Sequence, residues 1–73
     1  MNILSDQEKR VAELTAEGFT PRQIAKMENI SYGAVRQTLG RCYMKLGISN
    51  RPFGHPKVVL ANMVIDMQRN GEW

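Results

Sequence analysis

Residues 20–47 read TPRQIAKMENISYGAVRQTLGRCYMKLG, and their punctuation decides the fold. Thr20 is a strong N-cap. Pro21 suits the first helical position, because its missing N–H would have had no intrahelical partner. Ile24, Ala25 and Met27 supply the apolar side of a helix expected over 21–28, and Asn29 suits the left-handed turn that ends it. Ser31 caps the next helix, expected over 32–45. Along it Val35, Leu39, Cys42, Tyr43 and Leu46 recur at helical spacing and predict one buried stripe. Gly33 and Gly40 fall inside this helix, where Gly40 costs about 1 kcal/mol relative to alanine. Gly47 closes it. A short helix, a tight turn from Glu28 to Ser31 and a longer helix make a helix-turn-helix.

Outward on the N-terminal side, Ser5-Asp6-Gln7-Glu8 fits a capping box, with Leu4 placed to staple it. Val11 and Leu14 follow at helical spacing and Gly18 is a natural stop, so a first helix is expected over 6–17. On the C-terminal side, two prolines and Gly54 make residues 48–56 a loop. A fourth helix is expected over 57–69. Between Val58 and Met67 eight of ten residues are apolar, whereas one amphipathic face needs only three or four per two turns. A chain this short cannot surround such a helix. Val59, Leu60, Met63, Val64 and Met67 are therefore expected to meet a second subunit.

The whole is one all-α domain of 73 residues: core 4–51, loop 48–56, C-terminal helix 57–69. One cysteine, Cys42, excludes a disulfide framework, and Cys42 with His55 cannot close a structural zinc site. No metal and no cofactor are expected. No apolar run approaches the roughly 18 residues of a membrane span, and residues 1–10 do not read as a signal peptide, so the cytoplasm is the expected compartment.

The net charge of +3 is unevenly spread. Residues 1–19 carry −2 and residues 58–73 carry −1. Residues 20–57 carry +6, from Arg22, Lys26, Arg36, Arg41, Lys45, Arg51 and Lys57 against Glu28 alone. Such concentration marks a local polyanion-binding face as readily as an ordinary solvated surface. An exposed helix after a tight turn fits the major groove, with its early polar residues reaching base edges. Tyr32, Gly33, Arg36 and Gln37 occupy that early face. Arg36 suits guanine and Gln37 suits adenine, and Gly33 removes bulk where the helix approaches. Thr20, Arg22, Arg41, Lys45 and Arg51 suit phosphates.

From Leu4 to Arg51 the chain resembles the LuxR/GerE-type helix-turn-helix of bacterial transcription regulators. Leu4-Ser5-Asp6-Gln7-Glu8 and Leu14 to Gly18 bound the first helix. Gln23-Ile24-Ala25-Lys26, Ile30-Ser31, Val35-Arg36, Leu39, Lys45-Leu46-Gly47-Ile48 and Asn50-Arg51 carry the rest. The resemblance implies four helices, the third reading DNA and the fourth dimerising. Ala34 stands where the family often has a phosphate-binding threonine. Thr38 stands where a histidine is common, and is counted with the backbone contacts. Residues 51–56 read as an insertion before the fourth helix, where the family gives no guide. Residues 31–36 are also similar to the recognition helix of sigma factor region four, whereas Lys45 to Arg51 favours the LuxR type.

An enzyme is not expected, because there is no Ser/His/Asp set, no acid–base pair, no phosphate-cradling glycine loop and no metal box. The expected function is a homodimeric, sequence-specific binder of double-stranded DNA. The alternatives are a protein-interaction module, in which the apolar fourth helix captures another regulator or RNA polymerase, and sigma-like promoter recognition. Cys42 reads as a small buried hydrophobe, Tyr43 as a packing residue and Trp73 as either frayed or packed on the fourth helix.

Overall fold

The computed structural model describes residues 3–48 and 55–73. Four helices follow in order: α1 (Asp6–Ala16), α2 (Pro21–Glu28), α3 (Tyr32–Lys45) and α4 (Pro56–Arg69), with no strand among the described residues. The helix ends obey local chemistry. Ser5 Oγ accepts from Glu8 N (3.2 Å) while Glu8 Oε1 accepts from Ser5 N (2.8 Å), a complete capping box. Thr20 and Gln23 form a second one, with distances of 3.2 and 2.9 Å. Two otherwise orphaned backbone donors are thus satisfied at each start. Ser31 Oγ accepts from Ala34 N (3.0 Å) and starts α3. Asn29 takes the left-handed conformation (φ 55°, ψ 46°), so three residues, Asn29 to Ser31, turn the chain from α2 into α3. α1 ends one residue before the sequence suggests, and α4 begins one residue earlier, on Pro56.

The core gathers one side of every helix: Leu4, Val11, Leu14, Ile24, Val35, Leu39, Cys42, Leu60 and Val64. α1 is its centre, packing on α4, α3 and α2, and α2 packs on α3. Ile24 and Val35 lose all contact with water, which locks the helix-turn-helix pair onto α1. Cutting Ile24 to alanine costs about 2–5 kcal/mol. Met27 departs from expectation. It is 47% exposed, because on an eight-residue helix only Ile24 and Ala25 fall on the inward side.

Two polar groups enter this core with partners. Glu8 is 5% exposed, and beyond its cap it accepts from Lys45 Nζ at 2.7 Å, tying α1 to the end of α3. The lysine holds the Glu8 carboxyl below its ordinary value of 4.5, helped by the Ser5 N–H and against the cost of burial. Cys42 lies under the same pair and donates to the Glu8 carbonyl (Sγ–O 3.6 Å). Burial, and then the Glu8 charge, push its thiol up to about 11. That is an inert packing thiol. Trp73 packs against the core and its indole N–H donates to Glu13 Oε1 on α1 at 2.5 Å.

The fourth helix requires a correction. Leu60 and Val64, expected at a subunit interface, have no exposed surface, because they are the residues α4 packs on α1. Met63 and Met67 are half-buried beside them. Val59 remains open at 42%, joined by Val58 at 56% and Ile65 at 40%. The chain covers half of the helix; on the other half Val58, Val59 and Ile65 lie open among the exposed polar residues Asn62, Asp66 and Arg69. No helix among the described residues is long and apolar enough to cross a membrane.

Candidate nucleic-acid interface

α3 lays Val35, Thr38, Leu39 and Cys42 inward, so the arc opposite is fixed by helical periodicity. That arc carries Gly33, Arg36, Gln37, Arg41 and Met44, all exposed, with Gly40 between them half-buried. Gly33 and Gly40 are seven residues apart and form its crest. Neither is demanded from within the chain. An added Cβ at Gly40 would meet nothing within 4 Å, and one at Gly33 would meet only the Ser31 hydroxyl at 4.0 Å. Bare backbone on a helix crest is costly to helix stability and useful where another backbone approaches closely.

Cations flank this crest. Arg36 and Arg41 lie on its two sides, Arg22 and Lys26 stand on α2, and Lys57 stands at the start of α4, all exposed. The ion pairs among the described residues, Arg10–Glu28 (3.1 Å) and Lys45–Glu8 (2.7 Å), use none of them. Tyr32, 38% exposed, collects two of the arginines. The Arg22 guanidinium carbon lies 4.8 Å from its ring centroid and that of Arg36 5.9 Å, both within cation–π range. Pro21, Tyr32, Arg36, Leu39, Gly40, Tyr43 and Lys57 line a concavity of about 400 Å3 beside the crest, with no acidic side chain among the described residues of its wall. Burial raises the pKa of the Tyr43 phenol, so it stays a neutral wall.

Of the residues expected to meet DNA, the structure brings Tyr32, Gly33, Arg36, Gln37 and Arg41 to the exposed side of α3, and Thr20 and Arg22 to the start of α2. Thr20 Oγ1 caps α2, yet an accepting hydroxyl still carries one O–H donor. Thr38 is a correction. It is 2% exposed and its hydroxyl donates to the Ala34 carbonyl at 2.8 Å, so it has no surface to offer a phosphate. Lys45 is spent on Glu8, although 41% of its side chain remains exposed. Arg51, along with the Phe53 loop, lies outside the described residues. Lys26 and Lys57 are exposed cations that the expected contacts left out. Their signal was the charge count itself.

The described residues contain no cluster of three or more His, Cys, Asp or Glu placed to hold a metal ion. The family model for bacterial regulatory proteins of the luxR family, GerE, matches residues 2–53, more than half of the chain. No curated protein and no solved structure matches the chain.

Proposed function

The chain belongs to the luxR family of bacterial regulatory proteins, and on that premise we propose that it is a cytoplasmic, sequence-specific regulator of transcription. In this reading a homodimer sets each α3 into the major groove of duplex DNA. The observation that carries it is the exposed side of α3: a glycine crest where an added Cβ has room, Arg36 and Gln37 beside it, and on both flanks cations that take no part in the ion pairs among the described residues.

Arg36 presents a planar fork that matches guanine, and Gln37 presents an amide that matches adenine. Gly33 admits the helix to the depth at which these side chains reach. Thr20, Arg22, Lys26, Arg41 and Lys57 then meet phosphates, which fix register without reading sequence. Each phosphate contact releases counterions, so binding weakens steeply with salt.

Dimerisation uses the side of α4 that the core leaves open. Val58, Ala61 and Ile65 follow at spacings of three and four, which is a helix-pairing seam. A two-fold pair places the recognition helices about 34–36 Å apart on a pseudo-palindromic site. The same open valines and isoleucine support a second reading, capture of another regulator or of RNA polymerase. Addition of such a partner would then dissolve the homodimer.

Arg36→Ala tests the base-reading role. It costs about 1–3 kcal/mol of binding and relaxes base choice at one position. A variant with unchanged affinity and an unchanged binding motif refutes that role.

A further inference from the structure

Tyr32 opens α3, and sequence spacing alone makes it one of the residues facing a base. The structure gives its ring a different occupation. Arg36, one turn on along the same helix, and Arg22, from the start of α2, both bring their guanidinium groups to it, at 5.9 and 4.8 Å from the centroid. These two like charges come from separate helices, and neither takes part in the ion pairs seen among the described residues. Left in water, each would sample many rotamers, and their mutual repulsion would favour separation. The face of an aromatic ring carries negative potential, so one ring attracts both.

From this we infer that Tyr32 is a positioning residue: its ring clamps Arg22 and Arg36 and holds the two cations in place before DNA arrives. The inference rests on the reading of α3 as the DNA-facing helix. It assigns Tyr32 to the arginines instead of to a base. Ordering a long side chain on binding is costly, and a side chain already held by a ring has met part of that cost in the free protein. The clamp also spans the turn, so it fixes the first residue of α3 relative to α2 through side chains as well as through the core.

Two substitutions separate the ring from the hydroxyl. Tyr32→Phe keeps the aromatic face and Tyr32→Leu removes it. Because Tyr32 is 38% exposed, both variants retain the fold, which far-ultraviolet circular dichroism checks. The first measurement is made on the free chain by nuclear magnetic resonance. Side-chain protons of Arg22 and Arg36 are displaced upfield by the ring current in wild type and in Tyr32→Phe, and return to ordinary positions in Tyr32→Leu. The second is affinity for a pool of random-sequence duplex at fixed salt. Tyr32→Leu binds about 5-fold more weakly, Tyr32→Phe restores most of the loss, and the salt slope is the same in all three because both arginines remain.

A wild-type chain whose arginine protons match those of Tyr32→Leu overturns the clamp. Equal loss of affinity in both variants also overturns it and returns Tyr32 to hydroxyl-mediated contact. A wild-type chain that retains no duplex overturns the DNA reading itself. The ring-current comparison needs no DNA and so tells that failure from failure of the clamp.

Discussion

Gly40→Ala separates what α3 needs for its own stability from what it needs at its surface. Gly40 lies in the interior of a 14-residue helix with helical φ, and a Cβ built there meets nothing within 4 Å. The substitution therefore brings no clash, and its effect on folding reduces to helix propensity and unfolded-state entropy. Those terms favour alanine by about 0.8–1 kcal/mol. For a domain of this size that gain raises the melting temperature by about 4–8 °C. Gly18 is the control. A Cβ there also meets nothing within 4 Å, but its φ is +98°, where a side chain is strained by roughly 1–2 kcal/mol. Gly18→Ala should therefore destabilise. Thermal and urea melts followed by circular dichroism measure both. The opposite prediction holds for binding. The new methyl of Gly40→Ala stands on the groove-facing crest, so the more stable protein should bind duplex about 5-fold less tightly or worse. A destabilised Gly40→Ala, or two glycine variants shifting in the same direction, refutes the backbone reasoning. Unchanged affinity refutes the placement of the crest against DNA.

Three further outcomes follow from the core and the fourth helix. Glu8 holds its proton less readily in the folded chain than in the unfolded one, so its stabilising contribution is complete above its ordinary value of 4.5 and fades as pH falls through the lower folded value. Urea melts between neutral and strongly acid pH should show that loss, and Glu8→Gln should remove much of it. Lys45→Ala should cost about 1 kcal/mol at pH 7, allowing for the exposure of the lysine. Cys42, with its thiol pushed up to about 11 and its sulfur buried, should react with a thiol reagent at pH 8 at least about 100-fold more slowly in the native than in the unfolded chain. Fast native labelling would contradict its place under Glu8. Ile65→Glu, on the open side of α4, should give a folded monomer by sedimentation, whereas Val64→Glu places a charge in the core and should unfold the chain. A dimeric Ile65→Glu would move the subunit contact elsewhere.

The helices were legible because their boundaries are short-range chemistry. Ser5 with Glu8, Thr20 with Gln23, Ser31 with Ala34 and the left-handed Asn29 each act within three residues or fewer, so sequence and structure share the signal. The exposed face of α3 was legible for the same reason, since Val35, Leu39 and Cys42 fix the opposite arc. Thr38, a surface contact by family resemblance, is buried. Its spacing from Val35 and Cys42 places it on the buried stripe, and the Ala34 carbonyl makes burial of its hydroxyl tolerable. The division of α4 between core and surface was not legible. When eight of ten residues are apolar, periodicity no longer distinguishes sides, and only the packing against α1 selects Leu60 and Val64. The Lys45–Glu8 tie and the Arg22–Tyr32 contact join separate helices, so neither could be read from spacing along one of them.

The central claim is that two copies of α3 read a duplex. Selection of random duplex DNA on the purified chain at near-physiological salt, followed by sequencing, tests it most directly. The account predicts an enriched motif with two-fold symmetry, its half-sites one helical turn apart, and loss of that enrichment at one position in Arg36→Ala. Salt-sensitive retention without any motif would reduce the surface to a backbone binder. No retention of duplex at all would contradict the claim.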